Sequence, residues 1–201
     1  MLWTLLLSMF SFSLSMSISP GPVNITILSS GLNYGFKKTL PFISGATIGF
    51  TALLVTVCFG LYQIIVLYPL LLDFITVFGS MLLVWIGWNI FKAKGQQITV
   101  QQNTKIPSFV EGALMQWLNP KAWIAAVAGT ALFSSQHSVY YLAVFILIYF
   151  IVCYLSLMVW GVLGEKLADF LNQGNRARIF NMLMGFALIV ISLDMCWKHF
   201  M

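Results

Sequence analysis

Length, composition and charge already restrict what this chain can be. It has 201 residues, of which 60% are hydrophobic and 7% are charged, with 10 Lys and Arg against 5 Asp and Glu. A soluble domain carries about 25% charged residues, so these charges are too few to cover a soluble surface. The composition excludes a secreted domain, a cytosolic enzyme and a disordered chain, and it predicts an all-α polytopic membrane protein surrounded by lipid. The cations are spread along the chain, so they predict loop orientation and no nucleic-acid partner.

The apolar runs predict six transmembrane helices, each about 20 residues long. In chain order, the predicted spans cover about residues 2–29, 40–62, 70–91, 108–133, 139–163 and 179–197. They are joined by a polar turn at 31–38, a turn at Pro69, a polar loop at 92–107, a short turn at 134–138 and a loop of mixed charge at 164–178. We expect one transporter domain over residues 1–201, with a first repeat at about 1–91 and a second at about 108–201.

The distribution of Lys and Arg predicts the orientation of the spans. With six spans, the first, third and fifth loops share one side of the membrane. These loops hold Lys37, Lys38, Lys92, Lys94, Lys105, Lys166, Arg176 and Arg178. The positive-inside rule puts these loops in the cytoplasm and both termini on the non-cytoplasmic side of the plasma membrane.

Two predicted spans are interrupted by proline. The first is broken at Ser19-Pro20-Gly21-Pro22, and the fourth at Asn119-Pro120. Each is the first of a group of three, and because three is odd the second group is inverted relative to the first. Proline frees backbone groups that survive in a membrane only where protein or a water-filled cavity satisfies them. The pair predicts two inverted three-helix repeats, with a binding site of a secondary transporter between them. The alternative for each proline is a simple kink.

Lys121 follows the second break and lies well inside the fourth span. A lysine at that depth costs at least ~2.5–3.5 kcal/mol on insertion scales. An inward-facing ammonium beside a helix break can bind a substrate carboxylate. The positive end of the helix dipole, where the helix begins again after the break, adds to this attraction. Snorkelling to the interface and a proton relay by a neutral amine remain alternatives.

Other residues have simpler interpretations. Cys58, Cys153 and Cys196 are far apart in sequence and lie in apolar stretches. We therefore expect them to be small core residues that form no disulfide. Gly45 and Gly49 form a GxxxG pattern, which predicts close helix packing within the protomer, with a homodimer as the alternative. Glu111 begins the fourth span, where it caps the helix or faces a vestibule.

Several motifs resemble the LysE/RhtB family of amino-acid exporters. Ser19 to Pro22 and the glycines that follow are similar to its amino-terminal signature, and so are the stretch 79–88 and Lys92-Ala93 after it. Leu118-Asn119-Pro120-Lys121-Ala122 is similar to its second signature. The resemblance covers nearly the whole chain and implies a plasma-membrane exporter of amino acids or their derivatives, driven by the proton gradient.

The chain departs from the family in two places. Val23 stands directly after Pro-Gly-Pro, where many members have Asp or Asn, and Asn24 follows it. Residues 130–134 stand where many members end the fourth helix with a Pro-Gln-Phe turn, and this stretch is similar instead to the cysteine and O-acetylserine exporter branch. The candidate substrate-binding residues are Ser19, Pro20, Gly21, Pro22, Asn24, Asn119, Pro120 and Lys121.

Other function classes fit less well. Thiol-redox membrane carriers of related architecture need cysteines beside the helix breaks, where this chain has Ser19 and Asn119. A membrane-embedded hydrolase needs a Ser–His pair or two carboxylates within the membrane, and this sequence offers neither. We therefore expect no enzymatic activity, no catalytic residues, no cofactor and no resident metal. An exporter of another small solute or cation, and a non-transporting scaffold, remain as alternatives.

Overall fold

All secondary structure in the described part of the chain is helical. The structure is a computed structural model and describes residues 2–68, 70–92, 106–133, 139–171 and 175–200. The helices are α1 (Leu2–Ile18), α2 (Pro22–Tyr34), α3 (Phe36–Thr56), a π-helical turn (Val57–Leu61), α4 (Tyr62–Leu67), α5 (Leu70–Lys92), α6 (Phe109–Trp117), α7 (Pro120–Phe133), α8 (Val139–Leu171) and α9 (Arg176–Phe200). The predicted all-α fold class is confirmed.

Several of these helices are suited to a membrane. Residues Phe36–Ile64, Asp73–Lys92 and Val139–Ala168 are each long and apolar enough to cross a bilayer. Helices α1 and α2 meet the same criteria only together, and the 58° bend between them fits either a broken span or a re-entrant loop. Helix α7 is apolar but shorter, so the prediction of six crossings remains a prediction.

Both predicted breaks are confirmed. Helix α1 ends at Ile18 and α2 begins at Pro22, while α6 ends at Trp117 and α7 begins at Pro120. Proline is favoured as the first residue of a helix because the N–H it lacks would have no helical partner there. The proline pattern therefore located both interruptions.

Two predicted loops are wrong in extent. The turn at residues 31–38 shrinks to Gly35, because α2 continues to Tyr34 and α3 starts at Phe36. Gly35 has φ +81° and ψ 163°, a combination that is essentially restricted to glycine and reverses the chain in one residue. The loop at 164–178 is also mostly helical, because α8 runs on to Leu171 and Gly164 packs against the α2 backbone at Leu28.

Some predictions fall outside the described residues. They concern the turn at Pro69, residues 93–105 of the polar loop with Lys94 and Lys105, and the turn at 134–138.

The core lies where the two broken helices meet α3 and α8. Helix α2 packs along α8, α3 packs along α6, and α5 packs along α9. Close backbone approach explains the GxxxG pattern, because a Cβ on Gly45 would overlap the Phe109 carbonyl of α6 and one on Gly49 would lie 2.6 Å from the Ala113 Cα. The predicted packing role of these glycines within the protomer is confirmed. Buried aromatic side chains, including Phe50, Phe145 and Tyr149, fill the space beside the breaks.

Candidate functional site

The break between α1 and α2 frees three successive carbonyls, and each accepts a hydrogen bond from a side chain. Asn24 Nδ2 donates to the Ser17 carbonyl at 2.9 Å. Trp160 Nε1, from α8, donates to the Ile18 carbonyl at 3.2 Å. Lys121 Nζ, from α7, donates to the Ser19 carbonyl at 2.8 Å. These three carbonyls therefore have hydrogen-bond donors from the protein, which backbone groups need where water is absent from a membrane.

The break between α6 and α7 is organised in the same way. The Lys121 backbone N–H donates to Asn119 Oδ1 at 3.1 Å, so it leaves the Trp117 carbonyl without its usual helical donor. Trp123 Nε1 supplies the missing donor at 2.7 Å. Trp117 Nε1 in turn donates to the Gly49 carbonyl at 3.0 Å, which holds this break against α3.

Lys121 joins the two breaks. Its ammonium donates to the carbonyl and to the hydroxyl of Ser19, both at 2.8 Å, across 102 positions of sequence. Gly21 permits this approach, because a Cβ there would lie 3.1 Å from both Cδ and Nζ of Lys121. The ammonium is partly buried and faces the protein interior, so snorkelling is not the arrangement that the structure shows.

A small cavity of about 30 Å³ lies beside this contact. It has room for about two water molecules and is smaller than an amino acid. Its lining residues are Met16, Ser17, Val23, Asn24, Phe50, Gln116, Asn119, Lys121, Ala122, Ala125, Tyr149, Cys153 and Leu157. Lys121 is the one charged side chain in this set, so the cavity has a positive wall formed by one ammonium.

The candidate residues take different positions around the cavity. Asn24, Asn119 and Lys121 line it, and Ser19 and Gly21 contact the Lys121 side chain. Pro22 and Pro120 are buried in the first turns of their helices. Pro20 is exposed and outside the lining, so its part is to break α1.

Four polar lining residues were not identified from the sequence: Ser17, Gln116, Tyr149 and Cys153. Ser17 and Gln116 lie two or three residues before a break, a proximity that could have indicated them. Tyr149 and Cys153 lie in the middle of an unbroken apolar helix, which offers no such signal. Cys153 is a buried core residue as predicted, and it also faces the cavity.

Residues outside the cavity have structural roles. Ser108 and Glu111 form a reciprocal capping box at the start of α6, so the helix-cap interpretation of Glu111 holds. The three cysteines are free thiols. Among the described residues, no group of three or more His, Cys, Asp or Glu side chains could hold a metal ion.

One family model and several named proteins are similar to this chain. The model of the family described as "LysE type translocator" matches residues 14–198. The chain is 28% identical over 131 residues to proteins named "Cysteine/O-acetylserine efflux protein" from Escherichia coli O1:K1 / APEC and O157:H7, and 27% identical to one from strain K12. Each match covers 65% of this chain and 66% of the relative. No solved structure matches the chain significantly.

Proposed function

Since the chain belongs to the LysE type translocator family, we propose that it is a secondary transporter that exports amino acids or their derivatives across the plasma membrane. Its long apolar helices fit a multi-pass membrane protein. The names of its relatives make cysteine and O-acetylserine the first substrates to test. In this proposal the whole chain is one transporter domain without enzymatic activity.

The observation that carries the proposal is the contact between Lys121 and Ser19. An amino acid has an anionic carboxylate and a cationic ammonium, and this contact brings together an ammonium and a helix-break carbonyl that can bind them. The substrate carboxylate replaces Ser19 as the partner of Lys121, and the substrate ammonium replaces Lys121 at the Ser19 carbonyl. The substrate thus inserts into an existing interaction, and every charged group keeps a partner.

This exchange couples binding to movement. In the described arrangement the contact ties α7 to the break after α1, and the cavity is too small for an amino acid. A bound substrate separates Lys121 from Ser19, so the two broken helices move apart on one side. A ligand shifts a conformational equilibrium only through different interactions in its two states, and this replacement supplies such a difference. Such a difference between two states is what the proposed alternating-access mechanism requires.

Packing features support the inverted repeat. Pro22 and Pro120 take the same position, at the first residue after each break. Gly87 of α5 and Gly185 of α9 pack against each other in the same way. A Cβ added to either glycine would lie less than 3 Å from the carbonyl oxygen of the other. Such reciprocity is expected where a pseudo-two-fold axis relates the third and sixth spans. We propose six spans on this basis, with the cationic loops in the cytoplasm and both termini outside.

The test is export by Lys121 variants. We expect Lys121→Ala and Lys121→Met to insert normally and to lose export of cysteine and O-acetylserine from cells that overproduce the protein. Lys92→Ala is the matched control, because Lys92 lies at the end of α5 with its ammonium 4.5 Å from the Trp88 ring centre. Normal export by both Lys121 variants would refute the site assignment. Absence of any flux from the wild type would favour a non-transporting scaffold.

The coupling ion needs a separate measurement. We propose the proton, so a protonophore should abolish uphill transport in everted vesicles. Transport that is insensitive to the protonophore and depends on another ion would refute proton coupling while leaving the exporter assignment intact. A protomer that transports when reconstituted as a monomer would show that a homodimer is not required.

A further inference from the structure

One wall of the cavity has no part in the recognition of the substrate's carboxylate and ammonium. Helix α8 contributes Tyr149, Cys153 and Leu157, which lie four residues apart and therefore share one face. Ser17 of α1 lies opposite, in the last turn before the break. The Ser17 hydroxyl faces the Tyr149 hydroxyl and the Cys153 thiol.

Ser17 and Ser80 differ from several other serines in the helices, because neither buried hydroxyl has a hydrogen-bond partner of ordinary geometry among the described residues, and of the two only Ser17 lines the cavity. Ser8, Ser13 and Ser192 each donate to the carbonyl four residues earlier, at 2.7 to 2.8 Å. That bond is the usual way to satisfy a hydroxyl inside a helix. The Ser17 hydroxyl forms no hydrogen bond of ordinary geometry in the described structure, although Ser17 is only 7% exposed. A buried hydroxyl whose contacts with its neighbours are weak is costly, so a ligand group that pairs with it better gains affinity.

Charge and size restrict what this ligand group can be. Lys121 is the one charged side chain among the described lining residues, and the substrate carboxylate uses it. A cationic side chain would find no carboxylate there, and an acidic one would compete for a single ammonium. The buried neighbours Phe50 and Leu157 limit the space beside Ser17 and favour a short side chain.

We propose that Ser17, Tyr149 and Cys153 form the pocket for the substrate's side chain, and that the Ser17 hydroxyl selects a short neutral side chain that can form a hydrogen bond with it, such as one bearing a hydroxyl or a thiol. This inference rests on the proposed function, since it concerns the specificity of the same site. Ser17 and Tyr149 are its specificity-determining residues.

Serine and alanine provide the sharpest pair of probes, because they differ by one hydroxyl. The experiment measures initial uptake of each labelled amino acid into energised everted membrane vesicles, from a host without its own exporters of either. The wild type should transport serine with a higher kcat/KM than alanine. Ser17→Ala should reduce the serine-to-alanine ratio of kcat/KM about two- to tenfold, the contribution of one hydrogen bond, with alanine uptake retained.

Two further variants keep the test decisive. Ser13→Ala is the matched control, since Ser13 lies one turn earlier, is buried and bonds its own helix, and it should leave the ratio unchanged. Tyr149→Phe keeps the ring that packs at 4.6 Å from the Phe50 ring centre and removes only the hydroxyl, so it should also reduce the ratio.

The outcomes separate the two proposals. If the wild type transports amino acids but prefers alanine, or if Ser17→Ala and Tyr149→Phe both keep the wild-type ratio, the side-chain pocket is refuted and the exporter assignment stands. If wild-type vesicles transport no amino acid under any condition, the proposed function itself fails. A reduced ratio in Ser17→Ala, with Ser13→Ala unchanged, supports the pocket, because a merely structural defect would lower uptake of both amino acids together.

Discussion

The close contact between α3 and α6 makes a quantitative prediction about two glycines in the same helical stretch. Gly45 and Gly60 both lie within residues Phe36–Ile64. A Cβ on Gly45 would overlap the Phe109 carbonyl oxygen and lie 2.7 Å from its carbon, whereas a Cβ on Gly60 would meet nothing within 4 Å. The atoms that Gly45 meets are all backbone, so only separation of the two helices would relieve the overlap.

The magnitudes follow from two opposing terms. Alanine is favoured over glycine in a helix by about 0.8–1.0 kcal/mol, which gives an upper limit for the stabilisation expected from Gly60→Ala. Overpacking of a close interface costs about 1–3 kcal/mol, and this term exceeds the helix-propensity gain in Gly45→Ala. We therefore expect the two variants to differ by about 2 kcal/mol in free energy of unfolding, roughly 30-fold in the equilibrium constant.

The assay is a titration of the micelle-solubilised protein with a denaturing detergent, followed by far-ultraviolet circular dichroism. Gly45→Ala should unfold at a lower denaturant fraction than the wild type, and Gly60→Ala at the same or a higher one. If Gly45→Ala proves as stable as Gly60→Ala, the interface between α3 and α6 tolerates an added methyl group and is not tightly packed.

The same unfolding assay checks three further predictions. Trp160→Phe keeps an aromatic ring but removes the N–H that donates to the Ile18 carbonyl, so it should lower the free energy of unfolding by about 0.5–1.5 kcal/mol. An unchanged unfolding midpoint would show that another group satisfies this carbonyl. Ser108→Ala removes the hydroxyl that accepts from the Glu111 N–H, so it should lower the free energy of unfolding by about 0.5–2 kcal/mol. An unchanged free energy of unfolding would show that α6 begins at another residue. Gly35→Ala places a side chain on a residue with φ +81°, a strained conformation for alanine, so it should lower the free energy of unfolding by about 1–3 kcal/mol. Wild-type stability of this variant would contradict the one-residue turn.

The sequence was informative where covalent chemistry determines local structure. Proline lacks an N–H wherever it stands, so Pro22 and Pro120 marked the starts of α2 and α7 without any knowledge of the tertiary fold. Loop boundaries were less predictable, because polar composition does not stop a helix. Asn33, for example, stays in α2 and donates to the Ser29 carbonyl one turn earlier.

The partners of the site residues could not be predicted in the same way. The sequence indicated Lys121 as a buried cation beside the break of its own helix, but its partner Ser19 is 102 residues away and is brought near only by packing. Tyr149 has no local feature that separates it from the other aromatic residues of α8. Such contacts depend on helix rotation and crossing, which composition does not specify.

The three side-chain donors at the first break also have a consequence for how the protein is made. The carbonyls of Ser17, Ile18 and Ser19 lie at the end of α1 and directly after it, but two of their donors, Lys121 and Trp160, are translated long afterwards. Until α7 and α8 arrive, those two carbonyls must be hydrated or held by the insertion machinery, because lipid cannot satisfy them. The break after α1 therefore cannot reach its final structure until α7 and α8 have been inserted, so this part of the fold is completed only late in synthesis.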